Sequence, residues 1–361
     1  MQYDSLIIGS SPLMLLEAIY LTISGKKVII VEKNNYLGGA WYLLNFFEHK
    51  SIESGCHIWY RDKKVYNFLK NEFRINMESC YPQPIIIFNN VRLPYKWKPL
   101  IHFFSMIKSF KRKRSIINFI RTAKQESSIV SQYFYPKSGS VELMKKLFFL
   151  VEKMNIKVIR NQATKKIVLN EGALTATLNN NKKIHCLEVV AGSHSELGEV
   201  YYDGKIEHIK NNFENSNHTI HILIKGHSKK SFSYIHLIGN DKLIRVSDLT
   251  FQLNKGCKDS LFCIQITDDL FKEKGNTADT VAIALDELKR QNLVIKNAEV
   301  VKYKFSNYTC QYRNFEQTKN IKYKIGSHVR FLNTINLIYS FGRHIKRWKV
   351  LDKNRVIKSY F

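Results

Sequence analysis

From its first residues the chain alternates short apolar runs with segments of helical spacing. "SLIIG" is an apolar run ending in glycine, "LMLLEAIYLTIS" places its apolar residues at helical intervals and is closed by Gly25, and "KKVIIVEK" is a second apolar run. Strands that are apolar on both faces belong to a parallel sheet covered on both sides, so the pattern predicts a βαβ unit. Further on, "PIIIFNNVRLPY" predicts a hairpin turning at Asn89 and Asn90, and "SGSVELMKKLFFLVEKM" predicts a helix capped by Ser138 or Ser140. "IKVIRNQATKKIVLNEGALTATLNNNKKIHCLEVVAG" holds three or four strands punctuated by Asn-Glu-Gly and Asn-rich turns, the pattern of a β-meander. A mainly β stretch from His218 to Thr267, a helix near Ala278 to Arg290 and further strands complete the chain. The fold class is therefore α/β, with a second part that is α+β and mainly antiparallel.

Composition adds a size and a field. At 361 residues and 44% hydrophobic, the chain can bury a sizeable core in two modest domains. No uncharged apolar run of about 18 residues appears and the N-terminus enters a strand directly, so a cytoplasmic protein without spanning helix or signal peptide is expected. The six cysteines are scattered, without metal-ligand spacing, and read as reduced thiols; no metal is expected. A formal net charge of +27 must surround the protein with positive potential. A phosphorylated or otherwise anionic small molecule, an anionic membrane face met peripherally and a nucleic acid all suit that field. A coding bias towards Lys and Asn would produce it with no partner at all. Nucleic acid is the least favoured, because no zinc finger, RNA-recognition signature or aromatic-interleaved basic repeat is present.

The first loop carries the candidate chemistry. In a dinucleotide-binding turn one glycine makes the bend, a second lets the backbone approach the pyrophosphate, and a third lets helix and strand pack closely. Those places hold Gly9, Ser11 and Met14. Ser10 and Ser11 are small enough to donate to phosphate, whereas Met14 is expected to push the helix outward. Glu32 ends the second strand, 23 positions after Gly9, where an acid accepts ribose hydroxyls.

The run that follows, "KNNYLGGAW" from Lys33 to Trp41, resembles the FAD-dependent flavoprotein family that includes amine oxidases, protoporphyrinogen oxidase and UDP-galactopyranose mutase. Gly38 and Gly39 occupy the double-glycine position, with Ala40 and Trp41 beside them. "ESGCHIWYRDKKVYNFL" resembles the segment lying near the flavin ring in the mutase and protoporphyrinogen oxidase, with Gly55, His57 and Trp59 in the matching places. "YFYPKSGSVELMKKL" resembles the Pro-x-Gly-Gly segment, with Ser138 replacing its first glycine. "NLIYSFGRHIKRWKVLDKNRVI" resembles the closing Gly-Arg strand and final helix through Gly342 and Arg343, with an extra residue and without the mutase tyrosines.

The resemblance implies bound FAD in a Rossmann-like domain with a β-meander, assembled from residues 1–75, 134–200 and 325–361. A substrate domain from residues 76–133 and 201–324 would cover the flavin. It implies cofactor contacts at Gly9, Ser10, Ser11, Glu32, Lys33, Gly38, Gly39, Ala40, Trp41, Gly55, His57, Ile167, Gly342 and Arg343, and reacting-site roles for His57, Arg245 and Arg343. Asp248 and Asp352 would neutralise those arginines, and Cys56 has no activating base. The segment "LIHFFSMIKSFKRKRSIINFIRTAK" stands where the mutases carry a longer helical insertion; it either packs on its own domain or lies on a membrane. Three functions suit the resemblance: hydride transfer to flavin N5, a redox-neutral mutase-like reaction on a nucleotide sugar, and a non-catalytic module that keeps the fold without flavin.

Overall fold

The computed structural model describes residues 2–55, 63–80, 85–88, 91–93, 133–170, 172–192, 197–208, 211–226, 235–237, 240–253, 257–313 and 328–332. β1 (Gln2–Ile8), α1 (Pro12–Ile23) and β2 (Val28–Val31) form the expected βαβ unit, with Ile7 opposite Ile30 in parallel register. Pro12 starts α1 because its fixed φ and missing N–H suit a first helical turn. The helix ends in a Schellman turn: Gly25, at φ +82°, donates to Thr22 O, and Lys26 donates to Leu21 O.

β3 (Leu43–Phe46) and β4 (His49–Glu53) make a separate hairpin, and α2 (Lys63–Glu72) buries Val65, Phe68 and Leu69 at helical spacing. β5 (Met77–Cys80), β6 (Ile85–Phe88), β7 (Val91–Leu93) and β8 (Tyr133–Pro136) follow. β6 and β7 are antiparallel with Phe88 opposite Val91; Asn89 and Asn90, where the turn is expected, lie outside the described residues.

α3 (Ser140–Lys153) occurs where expected but is capped differently. Gly139 is the N-cap at φ +77°, without a side-chain cap, and Ser140 is already helical; its N–H donates to the Glu53 carboxylate of β4. An acid from a distant strand thus satisfies a helix-terminal donor, which the local sequence cannot reveal.

β9 (Lys157–Ile159) pairs β2 in parallel, and β10 (Thr164–Asn170), β11 (Ala173–Leu178) and β12 (Lys183–Gly192) form the meander, with β12 parallel to β1. β13 (Leu197–Tyr202) and β14 (Lys205–His208) extend this first sheet, which runs β14-β13-β10-β11-β12-β1-β2-β9. The second sheet contains β15 (Asn211–Ile224), β16 (Ile235–His236), β17 (Leu243–Asp248) and β18 (Ser260–Ile266). After α4 (Asp268–Lys274) and α5 (Ala278–Arg290), β19 (Val300–Arg313) completes it in the order β19-β15-β18-β17-β16-β6-β7. β20 (Val329–Leu332) returns to the first sheet beside β12, where Arg330 meets the fully buried Glu17 of α1 at 2.8 Å and Glu188 at 3.1 Å.

Period-two alternation explains how the sheets are covered. Ile7, Ile30 and Val190 face α1 and α3, which supply Met14, Leu15, Leu143 and Leu147, while Leu6, Ile8, Ile29 and Val31 face a second cluster with Ile167, Leu174 and Val200. In the second sheet, Ile220, Ile222, Val246 and Ile264 pack under Val281, Ala284 and Leu288 of α5. Its opposite face is buried and mixed, carrying the polar Thr219, His221, Ser247, Gln265 and Ser306 beside the apolar Leu223, Leu261 and Cys263. Among the described residues no helix is long and apolar enough to cross a membrane.

Candidate cofactor and substrate site

Gly9, Ser10 and Ser11 follow β1, Glu32 follows β2, and Gly38 and Gly39 come back against them, so these candidates converge at the C-terminal ends of two parallel strands. That is where open α/β sheets bind ligands. Gly9, at φ +96°, donates to Val31 O at 2.8 Å and so takes the tight bend. Ser10 joins the two loops: its Oγ donates to Glu32 Oε2 at 2.6 Å and accepts from Gly38 N–H at 3.0 Å. Glu32, 3% exposed, accepts on Oε1 from the Asn34 backbone N–H and Nδ2, each at 2.9 Å. The carboxylate therefore builds the loop and keeps acceptor capacity on Oε2. Ser11 Oγ is buried at the N-terminus of α1 without a hydrogen-bond partner. Met14 is 1% exposed and packs in the core between α1, α3 and the first sheet.

Both glycines of the pair have positive φ. A Cβ on Gly38 would stand 2.9 Å from Tyr42 Cα, and one on Gly39 would lie 3.5 Å from Ser11 Cα and 3.6 Å from Tyr308 Oη. Gly38→Ala is expected to cost roughly 1–2 kcal/mol in urea unfolding, because φ +112° and the Tyr42 backbone both oppose a side chain. Ala40 and Trp41 continue this turn, with Trp41 half-buried against the core and Lys33 exposed nearby in sequence. Ile167 is fully buried in the second core cluster, where packing is the role its side chain plays.

Gly55 follows a junction that sequence alone did not disclose. Glu53, 2% exposed, gives its carbonyl oxygen to His221 Nε2 at 2.7 Å, and its N–H donates to Gln252 Oε1 at 2.9 Å. Ser54 Oγ donates to Ala40 O at 3.0 Å, and its carbonyl accepts from Ser306 Oγ at 3.0 Å. Ser306 also meets Tyr42 Oη at 2.5 Å. A Cβ at Gly139 would strike Glu53 Oε1 and Gln252 Nε2, and φ is +77°, so the glycine of "PKSG" is opposed to a side chain by both space and backbone. Burial pushes the His221 pKa down to about 4, opposed by its bond to Glu53 and assisted by Lys304. Burial, then Tyr42 and Glu32, raise the Tyr36 phenol to about 12.

Arg245 lies half-buried on the polar face of the second sheet. Its Nε donates to Gln265 Oε1, and Gln265 Nε2 donates to Asn217 Oδ1 at 2.6 Å, so three strands hold the guanidinium in place. Asp248 turns to its own loop, accepting from Thr250 N–H at 2.9 Å, and burial raises its pKa. His57, Gly342, Arg343, Cys56, Trp59, Asp352 and the segment 100–124 lie outside the described residues. Sequence reasoning missed Glu53, His221 and Ser306. A signal was present in "TIHILI", where polar and apolar residues alternate.

No protein-family model matches the chain, and no curated protein matches it in sequence. Solved structures do match it. Reduced UDP-galactopyranose mutase superposes with a TM-score of 0.65 at 12% identity, over 91% of this chain and 89% of that one. Putrescine oxidase bound to putrescine gives 0.61 at 13% identity, over 92% and 93%. An oxidoreductase from Methanosarcina mazei gives 0.51 at 12% identity, over 84% and 87%. The class is thereby fixed at the level of fold: a Rossmann-like α/β fold with a meander and an additional antiparallel sheet. Putrescine oxidase and UDP-galactopyranose mutase share that architecture with this chain.

Proposed function

We propose that this chain is an FAD-dependent oxidoreductase acting on a small, anionic substrate by hydride transfer to the flavin N5. The observation that carries the reading is the loop cluster at the ends of β1 and β2, with Ser11 Oγ lacking a partner at the start of α1 and Glu32 fixed beside Ser10. The group fits these residues. Donors at a helix N-terminus suit a diphosphate, an acid at the second strand end suits a ribose hydroxyl, and two glycines without side chains let backbone pass close by. Bound FAD would supply the two-electron acceptor.

The chain's own residues bind and orient. Ser11 and the first turn of α1 would hold phosphate oxygens, Glu32 would accept from ribose through Oε2, and Gly38 to Trp41 would border the cofactor with Gly55, His57, Gly342 and Arg343. Arg245, already oriented by Gln265, would fix the substrate's anionic group, with His57 and Arg343 beside the reacting atoms. The same reading divides the chain into cofactor segments 1–75, 134–200 and 325–361 and substrate segments 76–133 and 201–324. Arg245→Ala is expected to raise KM at least about tenfold while leaving FAD affinity unchanged, since it removes a charge-assisted contact to substrate alone.

A second reading is favoured by the buried polar face that carries Arg245: it suits a phosphate-bearing sugar nucleotide handled without net redox change. Anaerobic assays separate the two. The oxidoreductase bleaches its oxidised flavin on adding substrate, whereas the mutase-like enzyme works only after dithionite reduction. Activity confined to the reduced protein would overturn the first reading.

A further inference from the structure

We infer that Arg330 is a positioning residue of the cofactor site: paired with Glu17 and Glu188, it latches β20 to the first sheet and so fixes where the chain beyond Leu332 begins. This rests on the FAD reading above and goes beyond it, because no motif of the first loop points to β20. Register sets the direction. β20 runs parallel to β12, and β12 runs parallel to β1, with Leu332 opposite Gly192 and Ile8 opposite Ala191. The last residue of β20 therefore lies level with Gly9, at the strand ends where Ser10, Glu32 and Gly38 meet. Its two faces follow the alternation of the sheet: Leu332 packs on the cluster that holds α1 and α3, and Val329 and Phe331 pack on the opposite one. Arg330, two positions before Leu332, consequently faces α1.

Four residues make a short strand, and charge supplies what length does not. Arg330 meets Glu17 Oε1 at 2.8 Å, and its Nε donates to Glu188 Oε2 at 3.1 Å. Glu17 belongs to α1 and is fully buried, so a fixed cation beside it offsets a charge that is costly to hold out of water. Glu188 is anchored in turn. Its Oε1 accepts from Ser5 Oγ at 2.5 Å and from Lys26 Nζ at 2.9 Å, which ties it to β1 and to the chain just after α1. A strand that comes late in the sequence is thus bound to both the helix and the first strand of the βαβ unit. A guanidinium suits this place because its planar fork meets two carboxylates at once. Gly342 and Arg343 follow β20 in the chain and are cofactor contacts in the FAD reading. A protein in which β20 is docked only part of the time would therefore bind FAD with an affinity reduced by that fraction.

The test compares wild type with Arg330→Met, Arg330→Lys, Arg330→Met combined with Glu17→Gln, and Lys183→Ala, which removes one exposed charge from the same sheet. Amide hydrogen exchange of residues 329–332 and thermal melting are measured without ligand, and FAD is titrated by fluorescence. Arg330→Met is expected to speed exchange in β20 about tenfold and to raise the FAD dissociation constant about tenfold, while Lys183→Ala matches wild type in both. Arg330→Lys keeps the charge without the fork and should fall between. Adding Glu17→Gln to Arg330→Met removes the buried charge, so it should recover the melting temperature without restoring exchange or FAD affinity. Unchanged exchange in Arg330→Met and Arg330→Lys would overturn the latch. Faster exchange with wild-type FAD affinity would overturn the positioning role and leave the FAD reading intact. FAD affinity that recovers together with the melting temperature in the double variant would overturn it too, reducing Arg330 to a stabilising contact. Wild type that binds no FAD would remove the FAD reading and the cofactor role of Arg330 together.

Discussion

Glu32→Ala should destabilise the ligand-free protein by roughly 3–5 kcal/mol and weaken FAD binding by more than any single lysine substitution. The size follows from what the carboxylate does before a cofactor arrives. It is 3% exposed, accepts from Ser10 Oγ, Asn34 N–H and Asn34 Nδ2, and Ser10 in turn holds Gly38 N–H. Alanine leaves a hydroxyl and two amide donors without their acceptor in a buried loop, and each such loss costs about 1–3 kcal/mol. Glu32→Gln, which keeps one carbonyl oxygen, should fall between. Lys33→Ala, at an exposed position, should move stability by no more than about 0.5 kcal/mol. Equilibrium urea unfolding of the four proteins, followed by FAD titration, gives both numbers. If Glu32→Ala unfolds as wild type does, the loop is not held together by this acid.

The second large effect is a pH dependence centred on His221. Its imidazole is fully buried and its pKa is depressed from an ordinary 6.5 to about 4. The folded protein therefore keeps it neutral where the unfolded chain protonates it. Stability is fully present above about pH 6.5 and is lost as pH falls towards 4, at a slope approaching about 1.4 kcal/mol per pH unit. Over that window the residue accounts for roughly 3 kcal/mol. His221→Gln keeps a donor for the Glu53 carbonyl but cannot titrate. It should flatten the stability curve between pH 6.5 and 4 by that amount relative to wild type, with Lys304, Phe46 and Cys263 still packed around it. Parallel curves for the two proteins would show that His221 takes up its proton as readily in the fold as in the unfolded chain, contrary to its burial.

How far the sequence could be read depended on how local the information was. The βαβ opening, the meander, the antiparallel pairing of β6 with β7 and the helix over Ala278–Arg290 were legible because period and turn residues lie within a few positions of one another. Glu32 and the double glycine were legible because their spacing reflects one strand and one turn. The capping of α3 was not, since Ser140 N–H takes its acceptor from Glu53, 87 positions earlier. Nor was the seven-residue α4, too short to show a helical period, although Thr267 caps it. The polar inner face of the second sheet was half legible. Alternation in "TIHILI" announces two unlike faces, but nothing local says that Thr219 and His221 will be buried against Glu53 and its neighbours. The surroundings of Met14 were not legible either: a bulky residue in place of a glycine finds its pocket among Ile7, Leu143 and Leu147, which come from distant elements.

FAD binding tests the central claim most directly. Purified protein, as isolated or mixed with FAD at about 100 μM and desalted, should show the bound-flavin absorbance bands near a one-to-one ratio, and Glu32→Ala should lose them. A wild-type protein that remains colourless and gives no fluorescence change on titration to the same concentration would contradict the account, leaving the fold as a module that binds something other than flavin.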